Sequence, residues 1–175
     1  IENNIELPAE GHYGVGNLFL PKNSTKRNSY LSKIREIVED ENLTILGLRD
    51  IPVNNQGLGY SVKPSEPSHI QIFISSNKND LEQDDLERKL YVLRKRIYNI
   101  FLGGVNSPIE DFYMCSLSSR TLLYKGLLLS DQLSDYFLDL NDTDFESALA
   151  LVHQRFSTNT FPTWSLAQPF RMICH

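Results

Sequence analysis

The sequence predicts an α+β fold with helices layered on a largely antiparallel sheet. Three observations point to it. HIQIFIS, residues 69–75, alternates with Ile70, Ile72 and Ile74 on one side, the period of a half-buried strand. Two longer stretches, from Ser24 or Thr25 to Glu41 and from Asp80 to Phe101, repeat apolar residues at three and four, the period of a helix. The last third is dominated by short strand-like runs separated by turn formers.

Taken in order, HYGVGNLFLP, residues 12–21, has β-branched and aromatic residues ended by Pro21 and reads as a strand. A helix follows, N-capped at Ser24 or Thr25, with Leu31, Ile34 and Val38 on one face. LTILGLRD, 43–50, reads as a buried strand, and VNNQGLGYSVKPSEP, 53–67, as a long surface loop rich in turn formers. After the strand 69–75, the second helix carries Leu86, Leu90, Leu93, Ile97 and Ile100, and Gly103 with Gly104 ends it. FYMCSLSSRTLLYKG, 112–126, predicts two short strands in hairpin style. A short helix near 130–140 carries Leu133 and Phe137, and ESALALVHQRFS, 146–157, predicts a strand with Leu149 and Leu151 turned into a layer between sheets. The chain opens IENNIELPAEG without an initiator Met and stops at RMICH inside an apolar segment, so we expect it to be a piece of a longer polypeptide.

Composition narrows the function. A hydrophobic share of 41% with 22% charged residues excludes a disordered chain. Seventeen basic against 22 acidic residues, net −5, offer no field for a polyanion, and nucleic acid is not an expected partner. No apolar run reaches the ~18 residues that span a bilayer, and no signal peptide opens the chain; the expectation is a soluble intracellular protein with no membrane partner. Cys115 and Cys174 are read as reduced. His12, His69, His153 and His175 lack metal-site spacing, so no metal is expected.

Several motifs have plainer readings. GHYGVG looks like a phosphate loop but lacks a preceding strand and a following Lys-Ser/Thr. The basic RKLYVLRKR, 88–96, follows the acidic DLEQDDLE, 80–87, an order that suits the helix dipole and a solvated flank. Cys115 has neither a helix N-terminus nor a glycine elbow beside it and reads as a small core residue, Cys174 likewise; His153 reads as structural. Arg155, where LALVHQRF meets STNTFP, admits two readings: a solvated rim residue, or a planar fork holding a substrate carboxylate.

The stretch ALALVHQRFSTNTFPTWSLAQPFRMICH, and HQRFSTNTFP at 153–162 above all, resembles the amidotransferase domain of glutamate synthase large subunits. YGVGNLFLPK (13–22), LERKLYVLRK (86–95) and SSRTLLYKGLLL (118–129) support the resemblance in the same order, loosely across 40–80 and closely from 112 onward. It implies that residues 1–175 are part of one class II glutamine amidotransferase domain of the N-terminal-nucleophile hydrolase type, a four-layer αββα sandwich. It implies L-glutamine as substrate, bound through its α-carboxylate by Arg155, with Phe156 and Thr158 lining the same pocket. The family's nucleophilic N-terminal cysteine and its oxyanion Asn-Gly pair have no counterpart here, since residue 1 is Ile and the chain stops at His175; the fragment alone is expected to be inactive. Gln168 stands where more distant amidotransferases keep a histidine and receives no catalytic role. The resemblance further implies FMN and an iron-sulfur cluster in other domains, the remaining synthase domains and a small electron-donating subunit or ferredoxin as partners, and a cytoplasmic or plastid-stroma location. HQRFSTNT departs from the HxRxxTxG pattern of amidotransferases serving sugar or nucleotide synthases. The rival from another class is a binding or structural module on the same scaffold.

Overall fold

A computed structural model describes residues 5–77, 81–102, 111–156 and 158–169. It is α+β, and the chain divides into two compact units: one of residues 1–50 and 68–123, the other of residues 51–67 and 124–175.

The first unit is built on one antiparallel sheet of β1 (Tyr13–Leu20), β2 (Leu43–Asp50), β3 (Ser68–Ser76) and β4 (Tyr113–Ser118), ordered β2-β3-β1-β4. Helices α1 (Ser24–Asp40) and α2 (Gln83–Leu102) lie on one face of it. Alternation sets the two faces: Leu18, Leu20, Ile70, Ile72 and Ile74 point at the helices and meet Ile34, Ile37, Val38, Leu86, Leu90 and Leu93. Gly14 and Gly16 stand on the same face of β1, and their missing side chains set the spacing. A Cβ on Gly14 would run into Leu90, and one on Gly16 would lie 2.8 Å from the Ser116 carbonyl. Gly14 and Gly16 of GHYGVG are therefore packing residues of the strand, while Gly11 precedes it at φ +85°.

The cap of α1 is Asn23, whose Oδ1 accepts from Lys26 N at 2.9 Å, rather than Ser24 or Thr25. At the other end Asn42 adopts φ +56°, the left-handed conformation that closes a helix. The basic run of α2 grips that same end: Arg96 Nη1 donates to Glu41 Oε1 at 2.5 Å and Lys89 Nζ to the Glu41 carbonyl at 3.2 Å. These cations meet the carbonyl end of a helix dipole.

Several sequence expectations are corrected. On α2 it is Phe101, not Ile100, that is buried; Ile100 faces out. β2 is an edge strand and mostly half-buried, with only Leu43 fully covered. The hairpin at 112–126 has only its first strand, because Ser118 Oγ accepts from the backbone N–H of Arg120 and Thr121 and turns the chain there. The strand over 146–157 does not form: residues 146–156 are irregular, and Leu149, Leu151 and Val152 are 85%, 74% and 79% exposed. A strand exists only through a ladder, and no described segment pairs with this one. The Gly103–Gly104 helix stop lies outside the described residues.

The second unit has little regular structure: a 3-10 turn at Lys63–Ser65, α3 at Gln132–Tyr136, and a 3-10 turn at Leu138–Asn141. The helix expected near 130–140 is thus split in two, with Phe137 buried at the break and Leu133 half-buried. Leu58, Tyr136, Phe137, Trp164 and Ala167 form its interior.

Gly14→Ala is expected to cost ~1–3 kcal/mol through overpacking against Leu90. Trimming the partner in the double variant Gly14→Ala/Leu90→Ala should then show a coupling of at least ~0.5 kcal/mol in urea midpoints, where additive losses would deny the contact.

Candidate functional site

The second face of the sheet is unusually polar for a covered surface. Asn17, His69, Gln71, Ser75 and Ser116 are all buried there. Three of the strands are tied across it side chain to side chain. Arg49 Nε donates to Gln71 Oε1 at 3.0 Å, Gln71 Nε2 to Asn17 Oδ1 at 3.1 Å, and Asn17 Nδ2 to the Leu123 carbonyl at 3.0 Å. A relay of amides in which each donor meets an acceptor fixes register. Cys115, in β4, is 1% exposed, as the sequence led us to expect of a small core residue.

Among the described residues of the second unit two charged groups are buried. Glu66 lies in the KPSEP turn; its Oε1 accepts from Tyr136 Oη at 2.7 Å and its Oε2 from Asn55 Nδ2 at 3.1 Å. Burial, and then the bond to Glu66, push ionisation of the Tyr136 phenol far above its ordinary value of 10.0. Lys125, 2% exposed, donates from Nζ to the carbonyls of Ser165 and Ala167 at 2.8 and 2.9 Å. Neither Glu66 nor Lys125 was singled out in the sequence. LLYKGLLL did carry a signal, one cation in an apolar run, whereas KPSEP looks like any surface turn.

The three expected site residues sit on the irregular stretch of this same unit. Arg155 is exposed, and among the described residues its guanidinium makes no hydrogen bond or ion pair. Phe156 is half-buried and Thr158 exposed. Beyond chain continuity, no hydrogen bond or ring contact among the described residues joins the three. His153 Nε2 lies 2.8 Å from the Arg155 carbonyl, an engagement that ties two neighbours of the stretch together. Gln168 is half-buried, and Cys174 and His175 lie outside the described residues. Among the described residues no three His, Cys, Asp or Glu side chains are grouped to hold a metal ion. What the stretch offers chemically is one uncommitted fork of donors matched to a carboxylate.

Residues 1–175 match the family described as class-II glutamine amidotransferases. The chain is 43% identical over 172 residues to the glutamate synthase [NADPH] large chain of Bacillus subtilis (strain 168), covering 98% of this chain and 11% of that one. Ferredoxin-dependent glutamate synthase 2 of Synechocystis is 39% identical over 98% of this chain and 10% of its own. Glutamate synthase [NADH] of Saccharomyces cerevisiae is 37% identical over 100% of this chain and 8% of its own. The chain thus spans about a tenth of the length of these curated relatives.

Tyr136, with its raised folded-state value, contributes stability that is present in full below pH 10 and lost as pH rises further, since the unfolded phenol ionises first. Tyr136→Phe should cost ~1–3 kcal/mol at neutral pH by removing a donor from buried Glu66. It should also flatten the fall in urea midpoint above pH 10, and parallel curves for the two proteins would contradict the assignment.

Proposed function

This chain belongs to the class-II glutamine amidotransferases, and on that premise we propose that it is part of the glutaminase domain of a glutamate synthase large chain. That domain hydrolyses L-glutamine to glutamate and ammonia, and the ammonia serves reductive amination of 2-oxoglutarate in the rest of the polypeptide. The carrying observation is the guanidinium of Arg155 within HQRFSTNTFP, exposed and without a hydrogen bond or ion pair among the described residues. Arg155 receives the α-carboxylate of glutamine, and Phe156 and Thr158 line the same pocket through backbone and hydroxyl. A charge-assisted contact of this kind contributes ~1.5–3 kcal/mol and fixes orientation as well as affinity.

The thiolate that attacks the glutamine amide carbon, and the Asn-Gly donors that receive the resulting oxyanion, we assign to segments of the parent polypeptide outside these residues. Support comes from Cys115, which is held in the sheet and closed to a substrate. Loss of ammonia would then leave an acyl-enzyme, which water cleaves to glutamate.

For the complete domain we propose the four-layer αββα sandwich. The buried polar face of the sheet favours a second layer over it. An FMN and an iron-sulfur cluster belong, in this proposal, to other domains. The donor set here does not fit a cluster, which takes four thiolates where this chain has two cysteines. The partners are those other domains and an electron donor, either a small subunit or ferredoxin, the latter named for the Synechocystis relative. No helix of the described residues is long and apolar enough to cross a membrane. We place the protein in the cytoplasm, or in the plastid stroma for a plant like Arabidopsis, whose similar synthase is named chloroplastic.

The isolated 175-residue chain should release no ammonia from glutamine above a heat-killed control; steady release would place the nucleophile within it. In the full-length synthase, Arg155→Lys keeps the charge and loses the fork. Glutamine KM should rise by roughly thirtyfold, the equivalent of ~2 kcal/mol, while ammonia-dependent glutamate formation stays near normal. Unchanged glutamine kinetics would return Arg155 to a solvated rim residue.

A further inference from the structure

The stretch that carries Arg155 has no ladder of its own, so something else must set where the guanidinium stands. Fixing each loop residue on binding costs ~1–2 kcal/mol, and a clamp on a wholly free loop would hold glutamine weakly. Both ends of the stretch meet one tripeptide, Tyr124-Lys125-Gly126. At the near end the Tyr124 ring meets Phe145 edge-on, centroids 6.0 Å apart, while its Oη donates to Asp139 Oδ2 at 2.6 Å. At the far end the chain makes a tight turn, with Leu166 N and Ala167 N donating to the Thr163 carbonyl at 3.2 and 3.1 Å. Lys125 Nζ holds the Ser165 and Ala167 carbonyls of that turn, and its Trp164 lies against Gly126, where a Cβ would be 2.7 Å from Cζ3. Trp164 and Ala167 are buried, so this far end is a fixed point next to an exposed loop.

A buried ammonium is a costly way to join two segments, and an apolar side chain of similar size packs there at less cost. What the ammonium adds is direction: it specifies two particular carbonyls, and with them the register in which the loop leaves its anchor. We propose that Lys125 is a positioning residue for glutamine binding, closing the base of the loop so that Arg155, Phe156 and Thr158 are presented in one geometry. This rests on the reading of Arg155 as the carboxylate clamp, and extends it to a residue 30 positions upstream that touches no substrate.

The test is steady-state kinetics of the full-length synthase with glutamine and, separately, with ammonia. Lys125→Met should raise glutamine KM about tenfold with a smaller change in kcat, and leave ammonia-dependent glutamate formation within about twofold. Lys125→Arg, which keeps a cation with several donors, should recover most of that loss. If Arg155→Lys raises KM and Lys125→Met leaves it unchanged, the positioning role is wrong and the clamp stands. If Arg155→Lys changes nothing, the clamp itself falls, and the positioning role with it. Should Lys125→Met lose both activities together, Gly126→Ala decides, since its Cβ displaces Trp164 while the ammonium stays: a raised glutamine KM supports the anchor and an unchanged one overturns it.

Discussion

The first unit depends on how closely β1 can approach its neighbours. β1 is the inner strand joining β3 to β4, and the helical layer must sit on it without a gap. Glycine at 14 and 16 lets Leu90 and the β4 backbone come nearer than any side chain would permit. That approach puts Leu90, Leu93 and Ile97 of α2 into one cluster with Leu18 and Ile72, all with essentially no solvent exposure. Close packing over such a cluster makes each of those contacts worth having, because a gap of under an ångström already forfeits much of the dispersion well. The bulge where β4 passes Asn17 and Leu18 follows from the same crowding on one side and a polar relay on the other.

How far the fold was legible follows from where each element finds its partner. The helices and β3 carry their own burial pattern, since one face meets the core along the whole length. Ile70, Ile72 and Ile74 announced their face, as did Leu86, Leu90 and Leu93. β2 announced its existence and not its place, because the apolar run LTILGL is the same at an edge as in the middle of a sheet. The stretch 146–156 shows the limit. Leu149, Leu151 and Val152 have strand chemistry, yet a strand is a relation between two segments, and the described residues hold no second one for it.

The candidate site was legible in a different manner. Arg155, Phe156 and Thr158 were found by resemblance, through HQRFSTNTFP; nothing in their spacing distinguishes a clamp from a rim arginine. Among the described residues the guanidinium makes no ion pair, which fits the proposed clamp and a solvated rim arginine alike. The residues that hold the loop could not be read in the same way. Lys125 acts on backbone carbonyls 40 and 42 residues away, and a carbonyl has no sequence signature. Asn23 capped α1 in place of its neighbours Ser24 and Thr25 for a related reason: all three are good caps, and only the local backbone decides between them.

A clamp must be exposed enough to receive its substrate and fixed enough to align it, and these demands pull against each other. A strand would fix Arg155 through its ladder but commit its backbone; a free loop would leave the ordering cost to the substrate. The arrangement here separates the two. Phe145 and the Thr163–Ala167 turn are held by Tyr124, Lys125 and Gly126, and the described residues between them are exposed apart from the half-buried Phe156. Loop-closure entropy grows only with the logarithm of length, so closing the base of this loop costs little more than closing a shorter one. On the proposed reading, Arg155 is thereby left to answer to a carboxylate while the base of its loop is held elsewhere.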